Sequence, residues 1–200
     1  MALVLAVTGS PRRGSNSLAL ARAVLEGAAE AGHDTELVKL REHQFSSCIG
    51  CEQCRKDKAC TGLKDGMQDI YPLVERASGL VLISPTHNYN VTALVKAFID
   101  RLYCFYDFDN KRPGPWSSRL GGQGRLALVG TTAEQPDAEG LGVVLPAMRL
   151  PLEALGYEVL DELVAPGIFP PGAAARDQEL LAQARAAGQE LGAALNTQRA

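Results

Sequence analysis

The sequence predicts an α/β fold: a doubly wound sheet of five parallel strands with helices on both faces, built from one chain of 200 residues. Two observations carry the prediction. Five short apolar runs alternate with stretches of helical periodicity, as parallel neighbours require because each pair needs a crossover on a face of the sheet. The loops that leave three of those runs, after Val7, Ser84 and Gly130, are also unusual in composition. In such a sheet right-handed crossovers place the ligand beyond the carboxyl ends of the strands, at the switch point.

Residues 3–7 form a continuous apolar run ending at Gly9, as expected of a central strand buried on both faces. Leu18, Ala21, Leu25 and Ala28 then recur at helical spacing, with Arg22, Glu26 and Glu30 on the opposite face and a stop near Gly32. A second strand is expected at 35–40, a helix at 67–77, a third strand at 80–84 and a helix at 91–103. Pro72 must lie in the first turn of its helix or kink it. Residues 107–123, rich in Gly, Pro and Ser, read as an excursion, followed by a strand at 125–130 and a helix at 142–155. A fifth strand at 158–164 and a terminal helix at 174–195 complete a single domain over 1–200, interrupted by a cysteine-rich insertion at about 41–66. Some 25 irregular residues inside a compact domain point to function.

The hydrophobic fraction of 46 %, charged fraction of 22 % and net charge of -3 are those of an ordinary globular protein. They argue against nucleic acid or an anionic membrane as partner, since either needs a clustered basic surface. The apolar start is not read as a secretory signal, because Arg12 and Arg13 follow it rather than precede it. No apolar run approaches the roughly 20 residues that span a bilayer, so a cytoplasmic location is expected.

The first loop, Gly9-Ser10-Pro11-Arg12-Arg13-Gly14-Ser15-Asn16-Ser17, links the first strand to the first helix. Small residues let backbone amides point inward, and a helix N-terminus adds partial positive charge. Ser10, Ser15, Asn16 and Ser17 supply neutral donors and Arg12 a charged fork, which suits a phosphate monoester. The alternative is that Ser15 or Ser17 merely caps the helix. The loop has neither a P-loop lysine nor the spacing of a dinucleotide fingerprint.

Gly-Ser-Pro-Arg-x-x-Ser-Asn-Ser after the first strand resembles the phosphate loop of the NADPH-dependent FMN reductase family. Ser84-Pro85, followed by Lys96-Ala97-Phe98-Ile99-Asp100-Arg101, resembles that family's second signature. The resemblance implies a flavodoxin-like fold, non-covalent FMN and NAD(P)H as electron donor. It also implies that Pro85, Thr86, His87, Asn88 and Tyr89 lie along the isoalloxazine ring and give backbone amides to its pyrimidine edge. The family often has an aromatic residue where His87 stands and glycine where Tyr89 stands. The third loop, entered at Thr131, is placed where it can touch the flavin. No side chain is assigned as catalytic, because the flavin carries the chemistry. Lys96 and Asp100, four apart on one helix, read as a surface pair. The resemblance also implies a homodimer or homotetramer, with Asp100 and Arg101 near a subunit contact.

Cys48, Cys51, Cys54 and Cys60 have the spacing C-x2-C-x2-C-x5-C. Four thiolates from one short loop can wrap a [4Fe–4S] cluster. Zinc more often takes two separated pairs, and free thiols or a redox disulfide also fit the residues. The spacing resembles that of the iron–sulfur flavoproteins, a branch of the same family, which implies that a cluster receives electrons from FMN. A partner subunit would then bring the cysteine loop close to a flavin. Cys104, on an apolar helix, reads as a core residue.

These readings give an FMN-dependent NAD(P)H oxidoreductase that passes electrons to a quinone, flavin, oxygen or protein acceptor. The competing class is a ferredoxin-linked electron carrier without nicotinamide reactivity. A phosphoreceiver-like regulatory module is disfavoured, because its acidic residues after the first strand are replaced here by Ser10 and Arg12.

Overall fold

The computed structural model describes residues 1–109 and 111–198. In chain order the strands are β1 (Leu3–Thr8), β2 (Asp34–Lys39), β3 (Ala77–Pro85), β4 (Tyr106–Phe108), β5 (Trp116–Ser118), β6 (Arg125–Thr132) and β7 (Tyr157–Ala165). The helices are α1 (Asn16–Glu30), α2 (Gln53–Asp57), α3 (Met67–Arg76), α4 (Ala93–Arg101), α5 (Val144–Ala154) and α6 (Gln178–Thr197).

Five strands form one parallel sheet in the order β2-β1-β3-β6-β7, the flavodoxin-like arrangement expected of the sequence. Successive residues of β1 face opposite sides, so its apolar run feeds two cores. Leu5 and Val7 join Phe98, Val129 and Met148 beneath α3, α4 and α5, whereas Val4 and Ala6 join Leu20, Val24 and Leu191 beneath α1 and α6. On that second face α1 and α6 cross at backbone contact. A Cβ at Gly27 would collide with the Arg185 carbonyl, and one at Gly188 with the Val24 carbonyl.

Several boundaries differ from those expected, each for a local reason. α4 starts at Ala93 because Thr92 is its N-cap, its hydroxyl accepting from Val95 N at 3.2 Å. α6 starts at Gln178 because Asp177 caps it, and residues 174–176 form a 3-10 turn instead. Pro72 lies inside α3, beyond its first turn, and forgoes the bond to the Gln68 carbonyl. The insertion contains the short helix α2, and the excursion folds into the antiparallel hairpin β4–β5. Of the excursion, residue 110 lies outside the described residues. Among the described residues no helix is long and apolar enough to cross a membrane.

Candidate functional site

β1, β3 and β6 run side by side to their carboxyl ends, paired Thr8 with Ile83 and Pro85 with Thr132. The loops that leave them enclose a cavity of about 210 Å³. Ser10, Arg12, Ser15, Asn16, Ser17, Pro85, Thr86, His87 and Asn88 line it together. Two predicted residues do not. Thr131 is fully buried, its hydroxyl 3.0 Å from that of Thr86, and so supports the lining from behind. Tyr89 is 60 % exposed, outside the cavity wall.

The first loop combines capping with the capacity to hold an anion. Ser15 is the N-cap of α1 and accepts from Leu18 N at 3.2 Å, which leaves its O–H to donate. Ser10 Oγ accepts from Arg12 N at 3.3 Å and likewise keeps a donor. α1 has no acidic residue in its first turn, so its positive end is not neutralised from within the helix, although Ser15 takes the Leu18 and Ala19 amides. Ser17 Oγ lies 3.2 Å from Thr132 Oγ1 and couples this loop to the end of β6. The Asn16 amide is spent differently: Nδ2 donates to the Pro170 carbonyl at 3.1 Å, and Oδ1 accepts from Ala174 N at 3.1 Å. Gly9 lets the loop press on α4, since a Cβ there would collide with Val95, and the Thr92 hydroxyl donates to the Gly9 carbonyl at 2.8 Å. This donor set fits a phosphate monoester.

The second loop is a tight turn. His87 and Asn90 exchange backbone bonds of 2.8 and 3.0 Å, and both central residues have positive φ, 50° at Asn88 and 64° at Tyr89. Asparagine tolerates that geometry; an aromatic residue is strained there. Thr86 N donates to the Thr132 carbonyl at 2.9 Å, which fixes the loop against the third.

A wall came from residues the sequence reading did not single out. Ile168, Phe169 and Pro171, after β7, line the same cavity as the first loop. Arg12 Nη1 donates to the Phe169 carbonyl at 3.0 Å, and its guanidinium stands 4.6 Å over the Phe169 ring. The only signal was the run Pro166-Gly167-Ile168-Phe169-Pro170-Pro171 at the carboxyl end of a strand. At about 210 Å³ the cavity is smaller than the roughly 300–1,000 Å³ of enclosing ligand pockets. A flavin-sized ligand would therefore keep part of its body outside.

The four clustered cysteines line a second cavity, of about 250 Å³, with Asp100, Arg101 and Tyr103 at the carboxyl end of α4. Burial raises the Cys54 thiol above its ordinary value, and Cys60, Cys48 and Cys51 add to the shift, so the four groups sense one another. As placed, no three His, Cys, Asp or Glu side chains among the described residues have the geometry to hold a metal ion. The donor chemistry fits an iron–sulfur centre; the arrangement is open. Cys104 is a buried core residue, as expected, and also a neighbour of the cluster: burial, then Cys60 and Cys54, push its thiol up to about 12.

The cysteine segment is held from two sides. Arg101 Nη1 donates to the Ser46 carbonyl at 2.8 Å, and its Nε to the Tyr71 hydroxyl at 3.0 Å. From the hairpin side, Lys58 pairs with Asp107 at 2.5 Å, Arg55 donates to the Asp109 carbonyl at 2.7 Å, and Arg112 pairs with Glu52. Arg101 is thus buried within its own subunit, whereas Lys96 and Asp100 form the expected surface pair at 2.6 Å.

Residues 2–136 match the family model of the NADPH-dependent FMN reductases. An iron-sulfur flavoprotein of Archaeoglobus fulgidus is 33 % identical over 129 residues, which are 60 % of this chain and 65 % of the relative's length. Another from the same organism is 28 % identical over 177 residues, 84 % of this chain and 79 % of the relative. Among solved structures, an NAD(P)H:quinone oxidoreductase from Methanothermobacter marburgensis shares the fold with a TM-score of 0.68 at 23 % identity, over 95 % of this chain and 96 % of that one. An FMN-dependent NADH-azoreductase from Bacillus anthracis, in complex with FMN, shares it with a TM-score of 0.68 at 18 % identity, over 98 % and 99 %.

Proposed function

Because the chain belongs to the NADPH-dependent FMN reductase family, we propose that it is a flavin oxidoreductase. In this reading it binds FMN in the strand-end cavity, oxidises NADH or NADPH, and delivers the electrons to a quinone, flavin, oxygen or protein acceptor. The observation that carries the reading is the convergence of nine expected binding residues, Ser10, Arg12, Ser15, Asn16, Ser17, Pro85, Thr86, His87 and Asn88, on one cavity at the N-terminus of α1. FMN, when bound, supplies the electron-transfer chemistry. The chain supplies position and charge. Ser10, Ser15 and the positive end of α1 hold the phosphate, with Arg12 as the cation beside it. The loop of Thr86, His87 and Asn88 is the side of the cavity for the ring, kept in place by Thr131 and the Thr132 carbonyl.

A second reading rests on the cysteine cavity and on relatives named iron-sulfur flavoproteins. Cys48, Cys51, Cys54 and Cys60 would hold a [4Fe–4S] cluster, and a homodimer or homotetramer would bring it near a partner's flavin. The protein would then be an electron carrier reduced by a ferredoxin. One experiment separates the readings. Protein purified without oxygen is assayed for flavin, iron and acid-labile sulfide, then exposed to NADH, NADPH or reduced ferredoxin. Flavin bleaching by a nicotinamide supports the oxidoreductase. Bleaching by ferredoxin alone, with about four iron per chain, supports the carrier. Protein that takes no FMN on reconstitution refutes both.

A further inference from the structure

We propose that residues 166–173, between β7 and α6, form a strap over the phosphate end of the cavity that selects a mononucleotide flavin over a dinucleotide one. The inference rests on the FMN reading of the cavity and deepens it by naming a segment outside the first loop that would stop a longer nucleotide.

The strap is tied at both ends and in the middle. Gly167 N donates to the Gln135 carbonyl and Ile168 N to the Ala133 carbonyl, each at 2.7 Å, which fastens its start to the loop after β6. Asn16 fastens its end twice, through Pro170 O and Ala174 N. Arg12 holds the middle through the Phe169 carbonyl and ring. Two of the three ties therefore come from Arg12 and Asn16, in the first loop and at the start of α1, so the strap is fastened directly to the anion end of the cavity.

The chemistry of the strap disfavours a second phosphate. FAD is FMN extended at its phosphate by AMP, so one terminal oxygen becomes a bridge and the nucleotide must leave past the strap. Pro170 and Pro171 have no N–H to offer a pyrophosphate, and they stiffen the segment against opening. The carbonyls of Phe169 and Pro170 are turned to Arg12 and Asn16 and present acceptors where a second phosphate would need donors. Arg12 is the one arginine in the lining, which holds no lysine and includes the acidic Glu134 and the imidazole of His87. A terminal phosphate satisfies these groups; an extended one meets the strap.

Calorimetric titration of the flavin-free protein with FMN and with FAD tests the strap, using Asn16→Ala and Phe169→Gly beside the wild type. Phe169 is half exposed and outside both core clusters, so its loss removes little core packing. The wild type is expected to prefer FMN by about a hundred-fold or more, and each variant to reduce that preference by roughly ten-fold through tighter FAD binding. Equal affinity of the wild type for the two flavins overturns the strap. So does an unchanged preference in folded Phe169→Gly protein. Failure of the wild type to bind either flavin is a different result: it removes the FMN reading itself.

Discussion

Arg101 lays its guanidinium against the Asp65 carboxylate in a two-pronged pair, Nη1 to Oδ2 at 2.7 Å and Nη2 to Oδ1 at 3.0 Å, with the arginine side chain 1 % exposed. One partner ends α4 and the other closes the cysteine segment, so the pair is the principal bolt between them. Asp65→Ala leaves a buried cation unpaired and is expected to lower unfolding free energy by about 3 kcal/mol, measured by urea denaturation.

The same pair sets an acid limit. Hydrogen bonding from Arg101, opposed by burial and aided by the Ser46 and Met67 amides, holds the Asp65 carboxyl below its ordinary value. Its contribution is complete above about pH 4 and is lost as pH falls through the lowered folded value. Asp65→Asn should therefore flatten the acid side of a stability-versus-pH curve. An identical slope in both proteins would contradict this.

Tyr89→Gly is expected to stabilise. At a φ of 64° the tyrosine adopts a geometry that costs a side chain about 1 kcal/mol and glycine almost nothing. Its ring is mostly exposed, so little packing is lost. Thermal unfolding should shift upward by about 2–4 °C.

Arg12→Ala should weaken FMN by about ten- to a hundred-fold, the loss of one charge-assisted hydrogen bond. Riboflavin, which has no phosphate, should bind the variant and the wild type alike. Equal losses for both ligands would place Arg12 elsewhere than at the phosphate.

Gly188→Ala gives a prediction of opposite sign to helix propensity. Alanine in mid-helix ordinarily gains about 1 kcal/mol over glycine. Here its methyl group would meet the Val24 carbonyl, and overpacking should destabilise by about 1–3 kcal/mol in chemical denaturation.

Much of this was legible in the chain because it is local. The doubly wound sheet follows from runs such as 3–7 and 126–129, apolar on successive residues as strands buried on both faces are. The donor-rich first loop was legible for the same reason: its hydroxyls and a helix start are adjacent in sequence. What escaped depends on distant contacts. Nothing near Asn16 shows that its amide is committed to Pro170 and Ala174, over 150 positions away. Nothing near Phe169 shows that it faces Arg12. The placement of Tyr89 outside the wall follows from turn geometry, in which both central residues share positive φ, and not from residue type. The hairpin β4–β5 is invisible in the sequence because strands of three residues leave no period to detect.

The strand-end cavity and the cysteine cavity lie toward opposite ends of α4 and share no lining residue. The ties that hold the cysteine segment, through Ser46, Asp65, Asp107 and Arg112, do not reach the three loops around the first cavity. Rebuilding the thiol-bearing part, by shortening, lengthening or rewiring it, therefore leaves the contacts that shape the strand-end cavity in place.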